Sequence, residues 1–306
     1  MSFQLTLDEP VSDGLKRLMI EECHSALSYL NNATNDDEKH LAVHEVRKSF
    51  KRIRAGLRLV RDRIDYYPQE NVWFRDRGRN ISSIRNTSAD LEVLFLYQQK
   101  LQSAIGESQF DNLYHQLVTH REIRAKTVFY KEKQLDKLRD ALEEKAETIF
   151  HWSLNVKDFS DVQPGLSRTY NRGRRAIARS RRDQIPENFH YMRKRAKYLC
   201  HQLEIIKRIW PPMLTIIEDE LHQLTDFIGT YLNLEHLKVS IKTLDNLSLN
   251  DDEKATIASF VKVEQHTLKN RALLKGRKLY CEKPSRFSDS LELYWYIFKK
   301  EQDKGI

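Results

Sequence analysis

Residues 44–58 read HEVRKSFKRIRAGLR. At about 100° per residue, His44, Arg47, Lys51, Arg54 and Arg58 fall within about 80° of one another around a helix axis. They form a cationic stripe roughly 21 Å long at about 1.5 Å rise per residue. Phe50, Ile53 and Leu57, continued by Val60 and Ile64, stand away from the stripe and are expected to face a core. Only Glu45 in this stretch is acidic. Like charges at i,i+3 and i,i+4 repel, so four turns of them carry a cost unless something negative lies alongside.

The stripe has two counterparts. Arg168, Arg172, Arg175, Arg179 and Arg182 repeat the spacing, and so do His190, Arg193, Lys194, Lys197 and His201. HEVRKSFKRIR at 44–54 and HYMRKRAKYLC at 190–200 share His, Arg at +3, Lys at +4 and Lys at +7, at an offset of 146 residues. IRN at 84–86 and YLN at 231–233 follow at an offset of 147. Two near-equal offsets indicate an internal duplication of about half the chain. Guanidinium forks and lysine point charges are the usual donors to phosphate oxygens. Stripes facing one another would form a trough suited to a linear polyanion.

The chain has 306 residues, 40% of them hydrophobic and 31% charged, with 9 Gly and 7 Pro. That scarcity of breakers predicts an all-α protein. Periodicity predicts helices over about 13–30, 36–66, 69–103 and 112–150. The segment 153–165, with Pro164-Gly165, reads as the boundary between halves. Further helices are expected over about 166–182, 186–210, 213–246, 254–281 and from 285 onward. The expected architecture is a single domain of two pseudo-symmetric four-helix bundles, 13–150 and 166–300, with a basic groove or pore between them. Asp36 or Asp37 is the expected cap of the second helix. The net charge is +8, yet residues 44–63 carry eight Lys/Arg against two acids and residues 165–201 eleven against two. The remainder is therefore net negative, and the basicity is local.

Other chemistries find little support. Three Cys with no CxxC argue against a disulfide framework or zinc ribbon. His40 and His44 are spaced i,i+4, but Leu41 stands where a zincin needs Glu. Neither GxxxxGK[ST] nor GxGxxG occurs. No cofactor and no metal is expected, and no paired carboxylates accompany the stripes, so the chain is not expected to be an enzyme. No run of about 18 apolar residues and no basic, apolar leader is visible. The expected location is the cytoplasm. The tail LYWYIF at 293–298 reads as packing.

The ordered pair H-x-x-R-K-x-x-K-R-x-R and H-x-x-R-K-R-x-K resembles the two signature helices of the CHAD family, the conserved histidine α-helical domain. RTYNRGRRAIARSRR before the second signature and Trp210-Pro211 after it extend the likeness from about Asp13 to Lys300. The resemblance implies two pseudo-symmetric bundles around a basic groove and binding of inorganic polyphosphate. Carried over residue by residue, it implies that His44, Arg47, Lys51, Arg52, Arg54, His190, Arg193, Lys194 and Lys197 line the site. Lys48, Arg58, Arg85, Arg168, Arg172, Arg175, Arg179 and His201 complete the candidate set; phosphate or sulfate would suit the same positions. Asn86 and Asn233 stand where the family often has Asp, and Cys200 where it tends to have Arg. Family members are often fused to enzymes with an ExExK strand, a motif absent here.

Nucleic acid is the rival partner, since it too offers rows of phosphates. Binders of single strands interleave aromatics with basic residues. Phe50 and Tyr198 are expected to lie off the stripes, which favours an inorganic polyanion.

Overall fold

The computed structural model describes residues 3–244 and 247–304, with the side chains of residues 83–87 and 303 outside that description. The described residues are all-α, without strands. The order is α1 (Val11–Asn31), α2 (Asp36–Leu59), α3 (Tyr67–Asn80), α4 (Ser82–Leu96), α5 (Gln98–Ile105), α6 (Glu107–Lys126), α7 (Gln134–Phe150), α8 (Phe159–Arg182), α9 (Pro186–Ile205), α10 (Pro211–Thr243), α11 (Asp251–Leu279) and α12 (Pro284–Asp303). None of these helices is long and apolar enough to cross a membrane.

Several boundaries differ from expectation. The helix expected over 69–103 is divided into α3, α4 and α5, and that over 112–150 into α6 and α7. The second division runs through a π-turn at Thr127–Lys131 and Lys133, whose φ of 49° lies in the left-handed region. No Gly or Pro marks it, so the break is invisible to breaker rules. The count of four helices per half is corrected accordingly. The cap of α2 is Asn35, which accepts from the Glu38 N–H, and Glu38 accepts in return from the Asn35 N–H. The same four-residue sequence, Asn-Asp-Asp-Glu, caps α11 at Asn250 and Glu253.

The boundary at 153–165 is shorter than expected, because α8 opens at Phe159 behind an Asp158–Asp161 capping box. Pro164 and Gly165 lie inside α8. Pro164 costs one backbone hydrogen bond near the exposed start of the helix. Gly165 is required by contact: a Cβ there would stand 2.1 Å from the carbonyl oxygen of Leu59. The C-terminus of α2 therefore lies directly on the second turn of α8. Arg63–Asp161 (2.7 Å) and Arg168–Asp62 ion pairs close the same junction.

The packing follows a repeated scheme. α1 packs on α2 and α7, and α8 packs on α9 and α12. α2 meets α3 and α4 as α9 meets α10, and α4 meets α6 as α10 meets α11. Across the halves α2 crosses α9, and α4 crosses α10. The two His-headed helices thus hold corresponding places and touch each other. At their crossing, Gln202 donates to the Ala55 carbonyl (3.1 Å). At the α4–α10 contact the buried Asp90 carboxylate meets His236 Nδ1 (2.7 Å) and accepts from Ser240 Oγ (2.8 Å). One apolar core runs through both halves, from Phe3 to Trp295. One face of the aromatic tail belongs to it: Trp295 is buried on Phe159 and donates to Asp158 (3.0 Å), whereas Leu293, Tyr296 and Ile297 are exposed.

Candidate anion-binding cavity

Between α2, α3, the start of α4 and α9 lies a cavity of about 360 Å³. Arg47, Lys51 and Arg54 reach it from α2, Arg75 and Arg79 from α3, and His190, Arg193, Lys194 and Lys197 from α9, with Gly78 and Ser82 at the α3–α4 junction. Phe50, Phe74 and Tyr198 complete the lining. Eight Arg or Lys side chains converge, and no carboxylate is among the described lining residues. The expectation that Phe50 and Tyr198 stand off the basic face is corrected. The face is a groove between helices rather than a bare stripe, so side chains aimed at the neighbouring helix also form its walls.

Local bonds hold several of these cations in place. Arg47 donates through Nη1 to the Gly78 carbonyl. Arg193 donates through Nε to the Thr225 carbonyl (3.0 Å). These bonds correspond between the halves, at offsets of 146 and 147 residues. Gly229 lies beside the second bond, where a Cβ would stand 3.1 Å from Arg193 Nη2 and the arginine would have to give by a few tenths of an ångström. Asn71 Oδ1 accepts from Arg54 Nε (3.2 Å) and from Arg58 Nη2 (2.8 Å). Arg58 also donates to the Arg54 carbonyl and lies over the Tyr198 ring, 3.9 Å from its centroid. Carbonyls, an amide and a ring orient these guanidinium groups. At the rim, Asp76 pairs with Arg75 (2.7 Å) and lies 3.5 Å from Arg79.

The electrostatic result is a site whose cations are held desolvated and close together. Burial, followed by repulsion from Arg54, Arg195, Arg58 and Arg79, pushes Lys194 down to about 8. Lys197 is lowered by burial and by Arg193. Burial lowers Arg54, and it lowers Arg58 to about 10. Desolvation, then Lys194 and Arg193, lowers His190 and so favours its neutral form. An anion entering the cavity would offset the cost of holding the lining cations Lys194, Lys197 and Arg54 there.

Seven of the sequence-predicted residues are thus brought together: Arg47, Lys51, Arg54, His190, Arg193, Lys194 and Lys197. Others lie elsewhere. Arg52 turns away to Glu22 (2.9 Å) and Glu204. His44 is exposed near Glu45 (3.9 Å), and Lys48 pairs with the same acid (3.1 Å). Arg58 is buried behind the lining. His201 is buried with Nδ1 3.3 Å from Glu204, so it does not stand in for an arginine at Cys200. On α8, Arg168 serves the α2 junction, Arg172 is half-buried, and Arg175 and Arg179 are exposed outside the cavity. Asn233 lies 3.4 Å from Glu92. The side chains of Arg85 and Asn86 lie outside the described residues.

Sequence reasoning missed Asn71, Arg75 and Arg79. Their signal was present as an i, i+4, i+8 row on one face of α3, in a helix too short and mixed to read as basic. No group of three or more His, Cys, Asp or Glu among the described residues is arranged to hold a metal ion. His40 packs its ring edge-on against Phe129 (5.3 Å). Cys23 and Cys200 are buried thiols, and Cys281 is exposed.

The described residues thus form an all-α fold in which two His-headed helices cross beside a cationic cavity. The CHAD domain family model matches residues 18–239, and the chain belongs to that family. Two solved structures share the fold. PptA from Streptomyces chartreusis superposes with a TM-score of 0.60 at 13% identity, over 90% of this chain and 100% of that one. The CHAD domain from the plant Ricinus communis superposes with a TM-score of 0.52 at 14% identity, over 92% and 94%. None of the curated proteins matches the sequence.

Proposed function

We propose that this protein is a non-catalytic binding module for inorganic polyphosphate, with the cavity between α2, α3 and α9 as its site. The observation that carries this reading is the convergence of eight Arg or Lys side chains with no described carboxylate in the lining. Charge held by carbonyls and an amide is suited to an anion with many equivalent oxygens and little shape of its own. Membership of the CHAD family supports the same reading. The lining supplies donors and positive charge, which fits holding the polymer.

The test is competition binding at physiological salt, polyphosphate against single-stranded and duplex nucleic acid. Polyphosphate is expected to win, and to raise the melting temperature because it binds only the arranged cavity of the native state. Replacing Arg47, Arg54 and Arg193 with Ala should weaken binding and reduce the salt slope by about three, each lost phosphate contact removing roughly one counterion. Unliganded melting curves check that the variant folds. Equal affinity and slope in wild type and variant would show the cavity to be a solvated face.

A further inference from the structure

The correspondence between the halves makes one difference between them conspicuous. Arg47 and Arg193 make matching bonds to the carbonyls of Gly78 and Thr225, which fixes the register of α3 against α10. In that register the row Asn71, Arg75, Arg79 corresponds to Glu218, His222, Asp226, at a constant offset of 147. On the crossing helices Arg54 and Arg58 correspond to Cys200 and Glu204, at an offset of 146. One pole of the groove therefore carries four arginines and an amide, with Asp76 beside Arg75 and Arg79 at its rim. The other carries three carboxylates, a histidine and a buried thiol.

The contacts agree with this reading. Arg54, Arg75 and Arg79 line the cavity, whereas Cys200, His222 and Asp226 do not. At the second pole Cys200 Sγ and His222 Nε2 close on each other at 3.3 Å. Glu204 is held by Arg52, and Glu218 by Lys207 (2.7 Å). Asp226 is exposed one residue beyond the carbonyl that fixes Arg193. Between the poles, Arg47, Lys51, Arg193 and Lys197 supply cations from both halves.

We propose that the groove is one-ended and captures the terminus of a polyphosphate chain, not its middle. This rests on the polyphosphate reading above. The terminal phosphate sits among Arg47, Lys51, Arg193 and Lys197. The chain leaves past Arg54, Arg75 and Arg79, and Asp226 repels any phosphate that would continue the other way. A terminal phosphate also suits the central cations best. By analogy with a phosphomonoester it carries about −1.5 to −2 at pH 7, while an internal unit carries one charge.

The experiment compares polyphosphate of one length with the same polymer capped at both ends as phosphoramidates, by fluorescence anisotropy with wild type and with Asp226→Arg. Wild type is expected to bind the capped polymer at least tenfold more weakly than the uncapped one. Asp226→Arg, a change at an exposed position, is expected to recover most of that loss by letting the chain run through. Binding of neither polymer would overturn the polyphosphate reading itself. Equal binding of both by wild type would leave that reading standing and overturn end capture. A capped-polymer deficit that Asp226→Arg leaves unchanged would also overturn it, since the acidic pole would then not be the stop.

Discussion

Raising the pH from 7 to 9.5 should release polyphosphate, with Lys194 as the group responsible. Burial and four neighbouring guanidinium groups hold this lysine at about 8, against an ordinary 10.5. At pH 7 roughly nine in ten molecules carry the charge, and at pH 9.5 only a few in a hundred. A polyanion in the cavity favours the charged form and returns the pKa toward its ordinary value. By linkage, affinity then falls by up to about tenfold per pH unit above 8, a total of roughly 30-fold by pH 9.5 if the return is complete. The stability of the unliganded protein moves oppositely. Between about 8 and 10.5 the unfolded chain holds a proton that the folded chain has lost, so stability rises with pH through that window. The assay is titration calorimetry at fixed ionic strength from pH 7 to 9.5, on wild type and on Lys194→Arg, whose charge persists throughout. A flat wild-type profile, or an equal fall in Lys194→Arg, would refute the assignment.

Asn71→Asp places a carboxylate against Arg54 and Arg58 with almost no change of shape. The variant should melt higher, because buried Arg58 gains a charged partner. It should bind polyphosphate roughly fivefold or more weakly, since a unit charge a few ångströms away carries about 1 kcal/mol or more at near-surface dielectric. Anisotropy and melting curves measured together check both signs, and unchanged affinity would show that the amide at 71 has no part in keeping the site positive. Gly165→Ala should destabilise the fold by about 1–3 kcal/mol or more, because the added methyl meets the Leu59 backbone and not a side chain that can turn aside. Urea denaturation reads this directly, and a loss below about 0.5 kcal/mol would mean that α8 shifts freely on α2.

The helical class, the correspondence of α2 with α9 and most of the cavity's cations were legible in the sequence. Helical periodicity places side chains on a face whatever surrounds it, and the 146-residue offset tied two such faces together. Residues 44–58 therefore announced a cationic face that Arg47, Lys51 and Arg54 do present. What periodicity cannot say is what stands opposite that face. Arg52 and Arg54 lie only two residues apart on α2, yet Arg52 is held by Glu22 and Glu204 while Arg54 lines the cavity, because α1 and α9 supply acids on one side only. The α8 stripe is as regular as that of α2, but the packing leaves it outside the cavity. Asn71, Arg75 and Arg79 join the site only because α3 folds back along α2, a turn that brings together residues about 20 positions apart. Composition and period determine which residues share a face of one helix. Whether that face meets an acid, a carbonyl, a ring or an open cavity is decided by distances between helices, and those are set only when the core between them packs.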